Sequence, residues 1–141
     1  MLKTMFFRGL IKIMNNIIGR FYFKLTDSKN LIGEFSNNHE TCNKNYTESA
    51  DRILPDANSP RNSDDGKFIG EFFSTWHDEI DGMHDCTLSK LKIIHKHDDI
   101  FSLTWWLFQE NGKIADKPSF WGEGMLCDGI LIGDYRDFST P

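Results

Sequence analysis

Cysteine is scarce in this chain of 141 residues, and the cysteines stand far apart. The three of them, Cys42, Cys86 and Cys127, form no CxxC pair, which excludes a paired-thiolate metal motif and a disulfide framework. An odd number of isolated cysteines is typical of reduced thiols, although a single disulfide is compatible with the sequence. We therefore expect a cytoplasmic protein.

Several motifs of common enzyme classes are missing as well. The sequence contains no phosphate-binding glycine loop, no HExxH and no GxSxG. It also contains no stripe of lysine and arginine, and its formal net charge is -5, which does not suit contact with a phosphate backbone. We therefore expect no nucleic-acid partner, and the sequence indicates no cofactor.

An apolar stretch at the N-terminus is interrupted by charge. Lys3, Arg8 and Lys12 break the continuous apolar core that a signal peptide needs, and the stretch is too short to span a bilayer. We interpret residues 1–13 as a non-essential extension; a basic amphipathic anchor on a membrane surface is the alternative. Residues 14–141 are then expected to form a single domain without a transmembrane segment, since their number is close to the commonest domain size.

Aromatic residues and alternating hydrophobicity dominate the rest of the chain. Aromatics make up 13% of the sequence, and flat rings favour half-buried strands. Apolar and polar residues alternate in segments separated by turns, without a helical stripe. The pattern predicts strands over residues 20–25, 31–36, 46–53, 67–76, 86–95, 100–108, 120–126 and 130–137, with the longest loop over residues 54–66. The expected fold is all-β, a single antiparallel up-and-down meander barrel, with a β-sandwich as the alternative.

A short glycine-containing repeat recurs in the predicted strands. Ile-Gly-Glu-Phe occurs at residues 32–35 and 69–72, and related tetrapeptides occur at 121–124 and 132–135. Glycine inside a strand marks a bend or a close approach, and small barrels need such kinks to close. We interpret these glycines as residues that shape the barrel.

The strand pattern over residues 19–138 resembles the calycin superfamily, the lipocalin and fatty-acid-binding type of antiparallel barrel. Gly19-Arg20-Phe21 stands where lipocalins have Gly-x-Trp near the first strand, and no helical lid separates the first two strands. The resemblance is therefore one of strand pattern, and no residue roles are transferred. It implies an interior cavity.

The last hairpin permits a prediction of register. Asp128-Gly129 between two alternating segments predicts a two-residue turn with positive φ at both positions. That turn places Glu123 directly opposite Asp134, and like charges in this position are destabilising. Their neighbours on the same face are Trp121, Met125, Ile132 and Arg136.

This acidic face has two interpretations. In the first, Glu123 and Asp134 line the lumen together with Glu34 and Glu71, which occupy the matching positions of the repeat. Desolvation and repulsion would then raise a carboxyl pKa, as in a general acid or base, and Glu123 and Asp134 would be catalytic. The residues expected to contact the ligand are Glu34, Glu71, Trp121 and Arg136.

In the second interpretation the acidic face lies in solvent. Acidic side chains are rarely buried without a partner, which favours this arrangement. The inward-facing residues would then be Gly33, Phe35, Gly70, Phe72, Gly124 and Tyr135. The direction of the four carboxylates distinguishes the two interpretations.

Histidines form the second candidate cluster. His77, His84, His95 and His97 stand next to aspartates in or beside two predicted loops. His95 and His97 share a face at a spacing of two, as metal ligands on a strand do, but no third ligand is fixed by spacing. The sequence favours solvated turns over a metal site.

Three functions are compatible with this barrel. The leading hypothesis is the binding of a small, partly apolar ligand in the interior. The second is an enzyme that uses Glu123 and Asp134 for acid–base chemistry. The third is an interaction module without a pocket, which associates through an apolar outer surface, for instance as a homo-oligomer. Fold alone does not select among them.

Overall fold

The barrel closes through the pairing of its first and last strands. The computed structural model describes residues 16–38, 45–54, 65–80 and 83–138. These residues form eight antiparallel strands in sequence order around a closed barrel. The predicted all-β meander barrel is confirmed. The predicted extension over residues 1–13 and most of the predicted loop over residues 54–66 lie outside the described residues.

All eight predicted strands are present, with boundaries that differ from the prediction mainly in the fourth and fifth strands. They are β1 (Ile18–Leu25), β2 (Leu31–Asn37), β3 (Tyr46–Leu54), β4 (Gly70–Ile80), β5 (Met83–His97), β6 (Ile100–Leu107), β7 (Phe120–Cys127) and β8 (Ile130–Asp137). A 3-10 turn, Asp65–Phe68, precedes β4. Within the described ranges, no helix has the length and apolar character needed to cross a bilayer.

The start of β4 differs from the prediction, which began this strand at Lys67. Phe68 ends the 3-10 turn, and both it and Ile69 are buried. Two consecutive buried side chains do not fit this half-buried strand, in which neighbours point to opposite faces. Gly70, whose φ of 149° is a conformation that favours glycine, then leads into the strand.

The β4–β5 hairpin is longer than predicted. Backbone pairing continues from His77 and Cys86 to Ile80 and Met83, so His77 and His84 lie within the ladder. Backbone hydrogen bonds hold this part of the hairpin together. Its residues do not alternate between apolar and polar, so the sequence does not predict a strand there.

The β7–β8 hairpin has the predicted register. Asp128 and Gly129 have positive φ values of 52° and 76°, and Cys127 pairs with Ile130. Glu123 consequently pairs directly with Asp134.

The two halves of the barrel interior differ in chemistry. The half nearest the β1–β2 and β7–β8 turns is apolar, and its core is fully buried. This apolar half includes Phe23, Leu31, Ile93, Phe101 and Leu131. The opposite half lies towards the β2–β3 and β6–β7 connections. Aromatic rings and several polar side chains line this second half, which we name the polar half.

Two glycines of the repeat lie where neighbouring strands approach closely. A Cβ atom at Gly33 would lie 1.8 Å from the carbonyl oxygen of Tyr22, and one at Gly133 would lie 1.9 Å from that of Glu123. No side chain fits at such a distance. The structure therefore supports the interpretation that these glycines shape the barrel.

Arg52 closes the apolar half. Its guanidinium donates to the carbonyl oxygens of Lys29 at 2.9 Å, of Ile69 at 2.8 Å and of Lys67. The same group lies 4.6 Å from the centre of the Phe72 ring. Arg52 therefore ties the β1–β2 turn and the segment before β4 to β3.

Replacing Arg52 with methionine should lower the free energy of unfolding by about 2 kcal/mol. Three carbonyl oxygens lose a charged donor, whereas methionine keeps most of the apolar stem. Urea denaturation followed by circular dichroism measures the change. Lys92→Met, at an exposed position on β5, is the matched control and should change stability by less than about 0.5 kcal/mol. Equal losses in the two variants would contradict the role given to Arg52.

Candidate functional site

The four acidic residues predicted from the sequence lie on the outer face. Glu34 and Glu71 are partly exposed, and Glu123 and Asp134 are exposed. The inward-facing positions of the repeat are Gly33, Phe35, Gly70, Phe72, Gly124 and Tyr135. The structure shows the solvated interpretation, and the first interpretation, in which this face lines the lumen, is wrong. An outward carboxylate keeps its hydration, which an apolar interior would remove.

Glu123 and Asp134 come together, but each has a basic neighbour. Lys96 forms an ion pair with Glu123, and Arg20 is the cross-strand partner of Asp134 on the other side. Exposed ion pairs of this kind contribute little to stability. A catalytic role for the two carboxylates stays a prediction. Both groups are exposed, so they are not desolvated as they would be in the lumen.

The other predicted contact residues are distributed around the outer surface. Arg136 lies with its guanidinium 5.2 Å from the centre of the Trp121 ring, beside the acidic pair. Glu71, on β4, forms an ion pair with Lys90 at 2.8 Å and is separated from β7 by two strands. The structure therefore brings Trp121 and Arg136 near Glu123 and Asp134 but places Glu71 elsewhere.

Glu34 borders a groove on the outside of β1 and β2. Its Oε2 accepts a hydrogen bond from Asn45 Nδ2 at 2.9 Å. A hydrogen bond between Tyr22 and Glu34 raises the pKa of the Tyr22 hydroxyl above its ordinary value. The groove has a volume of about 390 Å³ and is also lined by Arg20, Lys24, Ile130 and Ile132.

The histidine cluster does not assemble into a metal site in the described part of the chain. His95 Nε2 lies 2.7 Å from the carbonyl oxygen of Asp98, and His97 Nδ1 lies 3.4 Å from Asp98 Oδ2. Among residues 16–38, 45–54, 65–80 and 83–138, no three His, Cys, Asp or Glu side chains are placed to hold one ion. Cys86 and Cys127 are exposed free thiols, and Cys42 lies outside the described residues.

Glu48 is a buried carboxyl group inside the polar half, and it is not among the residues predicted from the sequence. Its side chain points inward because it shares a strand face with the buried residues Tyr46 and Ala50. Glu48 Oε2 accepts hydrogen bonds from Ser74 Oγ at 2.5 Å and from Trp105 Nε1 at 2.9 Å. Side chains from β3, β4 and β6 thus meet at one oxygen atom.

The environment of Glu48 changes its acidity. Burial raises the pKa of this carboxyl group to about 7, and the hydrogen bonds from Ser74 and Trp105 act in the opposite direction. The group therefore exchanges a proton near neutral pH. In its charged form it only accepts hydrogen bonds, and in its neutral form it also donates one.

Ser89 places an unpaired hydroxyl beside this cluster. Ser89 pairs across the sheet with Ser74 and is fully buried. Its Oγ is the buried side-chain polar atom of the described residues that has no hydrogen-bond partner. Burying a hydroxyl without a partner costs about 1–3 kcal/mol. A ligand that bonds to Ser89 would offset this cost.

Four aromatic rings form a closed circuit in the polar half. Between ring centres, Phe35 lies 6.4 Å from Trp76, and Trp76 lies 6.0 Å from Phe120. Phe120 lies 6.1 Å from Tyr135, which lies 6.3 Å from Phe35. All four contacts are edge-to-face, the geometry that aromatic quadrupoles favour.

The carboxyl group and the rings belong to one site. Trp105 donates to Glu48, and its ring centre lies 6.1 Å from that of Tyr135. Glu48 is also the cross-strand partner of Trp76. We define the luminal site as Glu48, Ser74, Ser89 and Trp105 together with the rings of Phe35, Trp76, Phe120 and Tyr135.

The luminal site is not completely closed to water. Glu48 is 6% exposed, Phe35 8% and Tyr135 9%, whereas Phe23 and Leu131 in the apolar half are 0% exposed. At the opposite end Leu25 and Leu126 are partly buried as well, so neither end of the described interior is completely closed.

Comparison of the chain with protein-family models, with curated proteins and with solved structures finds no match.

Proposed function

We propose that the protein binds a small, partly apolar molecule in the polar half of its barrel. The observation that supports this function is the polar cluster of Glu48, Ser74 and Ser89 within an aromatic interior. Ligand sites are typically apolar cavities with a few polar groups that fix orientation. Eight-stranded barrels are either filled by side chains or hold one small ligand, and the proposal assigns this barrel to the second case.

The luminal site lowers the stability of the barrel. Glu48 is a buried acid whose charged form is disfavoured, and Ser89 is a buried hydroxyl without a partner. Apolar side chains at both positions would avoid these costs. Polar groups that oppose folding are characteristic of functional sites, because a bound ligand supplies the missing interactions.

Binding is testable with N-phenyl-1-naphthylamine, a neutral fluorescent probe with an apolar body and one N–H donor. We expect saturable binding of one probe per chain, accompanied by quenching of tryptophan fluorescence, because Trp76 and Trp105 line the site. Ser89→Leu places an apolar side chain in the site and should weaken binding about ten-fold or more. Ser102→Leu, on the outer face of β6, is the matched control and should leave binding unchanged.

Circular dichroism establishes whether each variant is folded. Ser89→Ala keeps the volume of the site and should weaken binding about five-fold through the loss of one hydrogen bond. A folded wild-type chain that shows no saturable binding would contradict the proposed function. Binding that persists in Ser89→Leu but is lost in Tyr22→Ala would also contradict it, since the probe would then occupy the outer groove.

A further inference from the structure

On the basis of the proposed function, we infer that the ligand of the luminal site is a small organic cation, an amine or quaternary ammonium with an apolar substituent. Two structural features support this ligand class: the sign of the charged groups inside the polar half, and the circuit of four aromatic rings around them.

The buried charged side chains of the polar half are acidic. Among the described residues of this half, the buried carboxyl groups are those of Glu48 and Asp137, and no lysine, arginine or histidine is buried. Arg52 lies at the opposite end of the barrel, where its guanidinium donates to three carbonyl oxygens. A ligand carboxylate or phosphate would therefore meet the like charge of Glu48 in the described interior.

The aromatic circuit is suited to a cation. Its sides measure 6.0–6.4 Å between ring centres, so the rings pack edge against face, and a cation would lie over the free face of one of them, not at their midpoint. Aromatic rings attract a cation that lies over the ring face within about 6 Å of the ring centre. The rings also provide the apolar surroundings that an alkyl substituent needs.

Glu48 supplies the opposite charge. Ser74 and Trp105 both bond to its Oε2, which leaves Oε1 for the ligand. An ammonium group that donates to Oε1 forms a charge-assisted hydrogen bond, which is stronger than a neutral one. Because Trp76 is the cross-strand partner of Glu48, the ammonium group would lie next to the circuit. The hydroxyl of Ser89 accepts a further N–H when the ligand is a primary amine.

Three ligands with one apolar chain test the charge preference: hexyltrimethylammonium, hexanol and hexanoate. Isothermal titration calorimetry of the full chain at pH 8 measures each dissociation constant. We expect hexyltrimethylammonium to bind about ten-fold or more tightly than hexanol, because it gains attraction from both the rings and the carboxylate. Hexanoate should bind more weakly than hexanol.

Two glutamate variants locate the origin of the preference. Glu48→Gln removes the charge inside the barrel and should bring the affinity for the cation to within about three-fold of that for hexanol. Glu123→Gln removes an exposed charge on the outer face and should leave the preference unchanged. Trp76→Leu should reduce the affinity for the cation more than the affinity for hexanol, since leucine keeps an apolar contact but lacks a ring.

The outcomes separate this inference from the proposed function. If hexanol or hexanoate binds at least as tightly as the cation, and binding still depends on Ser89, the cation inference is overturned and the proposed function stands. A cation preference that survives Glu48→Gln and disappears in Glu123→Gln also overturns it. If neither the three ligands nor N-phenyl-1-naphthylamine binds the folded chain, the proposed function itself fails.

Discussion

Replacing Glu48 with glutamine should raise the free energy of unfolding by about 3 kcal/mol at pH 8 and change it little at pH 4. Burial raises the pKa of Glu48 to about 7 in the folded chain, from an ordinary value of 4.5. The folded state therefore holds the proton more tightly than the unfolded state does. Stability falls as the pH rises from about 4.5 to about 7 and stays at the lower level above that range. Glutamine is neutral throughout and keeps an acceptor for Ser74 and Trp105.

Urea denaturation of both proteins between about pH 4 and pH 8 measures this difference. Glu123→Gln is the matched control, because Glu123 is exposed and forms an ion pair with Lys96. Its effect should be smaller than about 1 kcal/mol and nearly constant over the same range. A Glu48→Gln variant that is less stable than the wild type at pH 8, or a difference independent of pH, would contradict the buried environment assigned to this carboxyl group.

Alanine at position 33 should lower the free energy of unfolding by about 4 kcal/mol or more. The added Cβ atom would lie 1.8 Å from the backbone oxygen of Tyr22, and backbone of a paired strand does not move as a side chain does. Relief of the contact requires β1 and β2 to separate where Phe23 pairs with Gly33. Urea denaturation measures the loss, and an unfolded spectrum of the variant at 25 °C would agree with it.

Gly112→Ala is the control for this variant. Gly112 has open space around it but a φ of 80°, so alanine there suffers only backbone strain, worth about 1 kcal/mol. A similar loss at both positions would show that the close approach of Gly33 to β1 has no energetic role.

The barrel could be predicted from the sequence because the alternation of apolar and polar residues and the turn residues both indicate antiparallel strands. Asp128-Gly129 alone determined the register of β7 and β8, since both turn positions need positive φ. The direction of the acidic face was harder to predict. In the segment that contains Glu34, one face has Ile32 and the other has Phe35, so the alternation is apolar on both sides. The ring of Phe35 is buried and Ile32 is half exposed. Packing across the barrel interior determines which of the two faces points inward.

Glu48 escaped prediction because β3 has weak patterning. Small and polar residues occupy both of its faces, and the only signals for the inward face are Tyr46 and Ala50, which are in phase with Glu48. The donors to Glu48 come from Ser74 and Trp105, on strands far along the chain. Pattern along a single strand does not reveal which side chains barrel closure brings together.

The pairing of β1 with β8 also determines when the barrel can close during synthesis. On the ribosome β1 is made first of the eight strands and β8 last, yet Phe21 on β1 pairs with Gly133 on β8. Until β8 emerges, one side of β1 keeps an open row of backbone donors and acceptors, a template for strands of other nascent chains. Pairing between such distant segments is slow to form. The edge of β1 is therefore protected only after the last strand has been made, when β1 and β8 pair with each other.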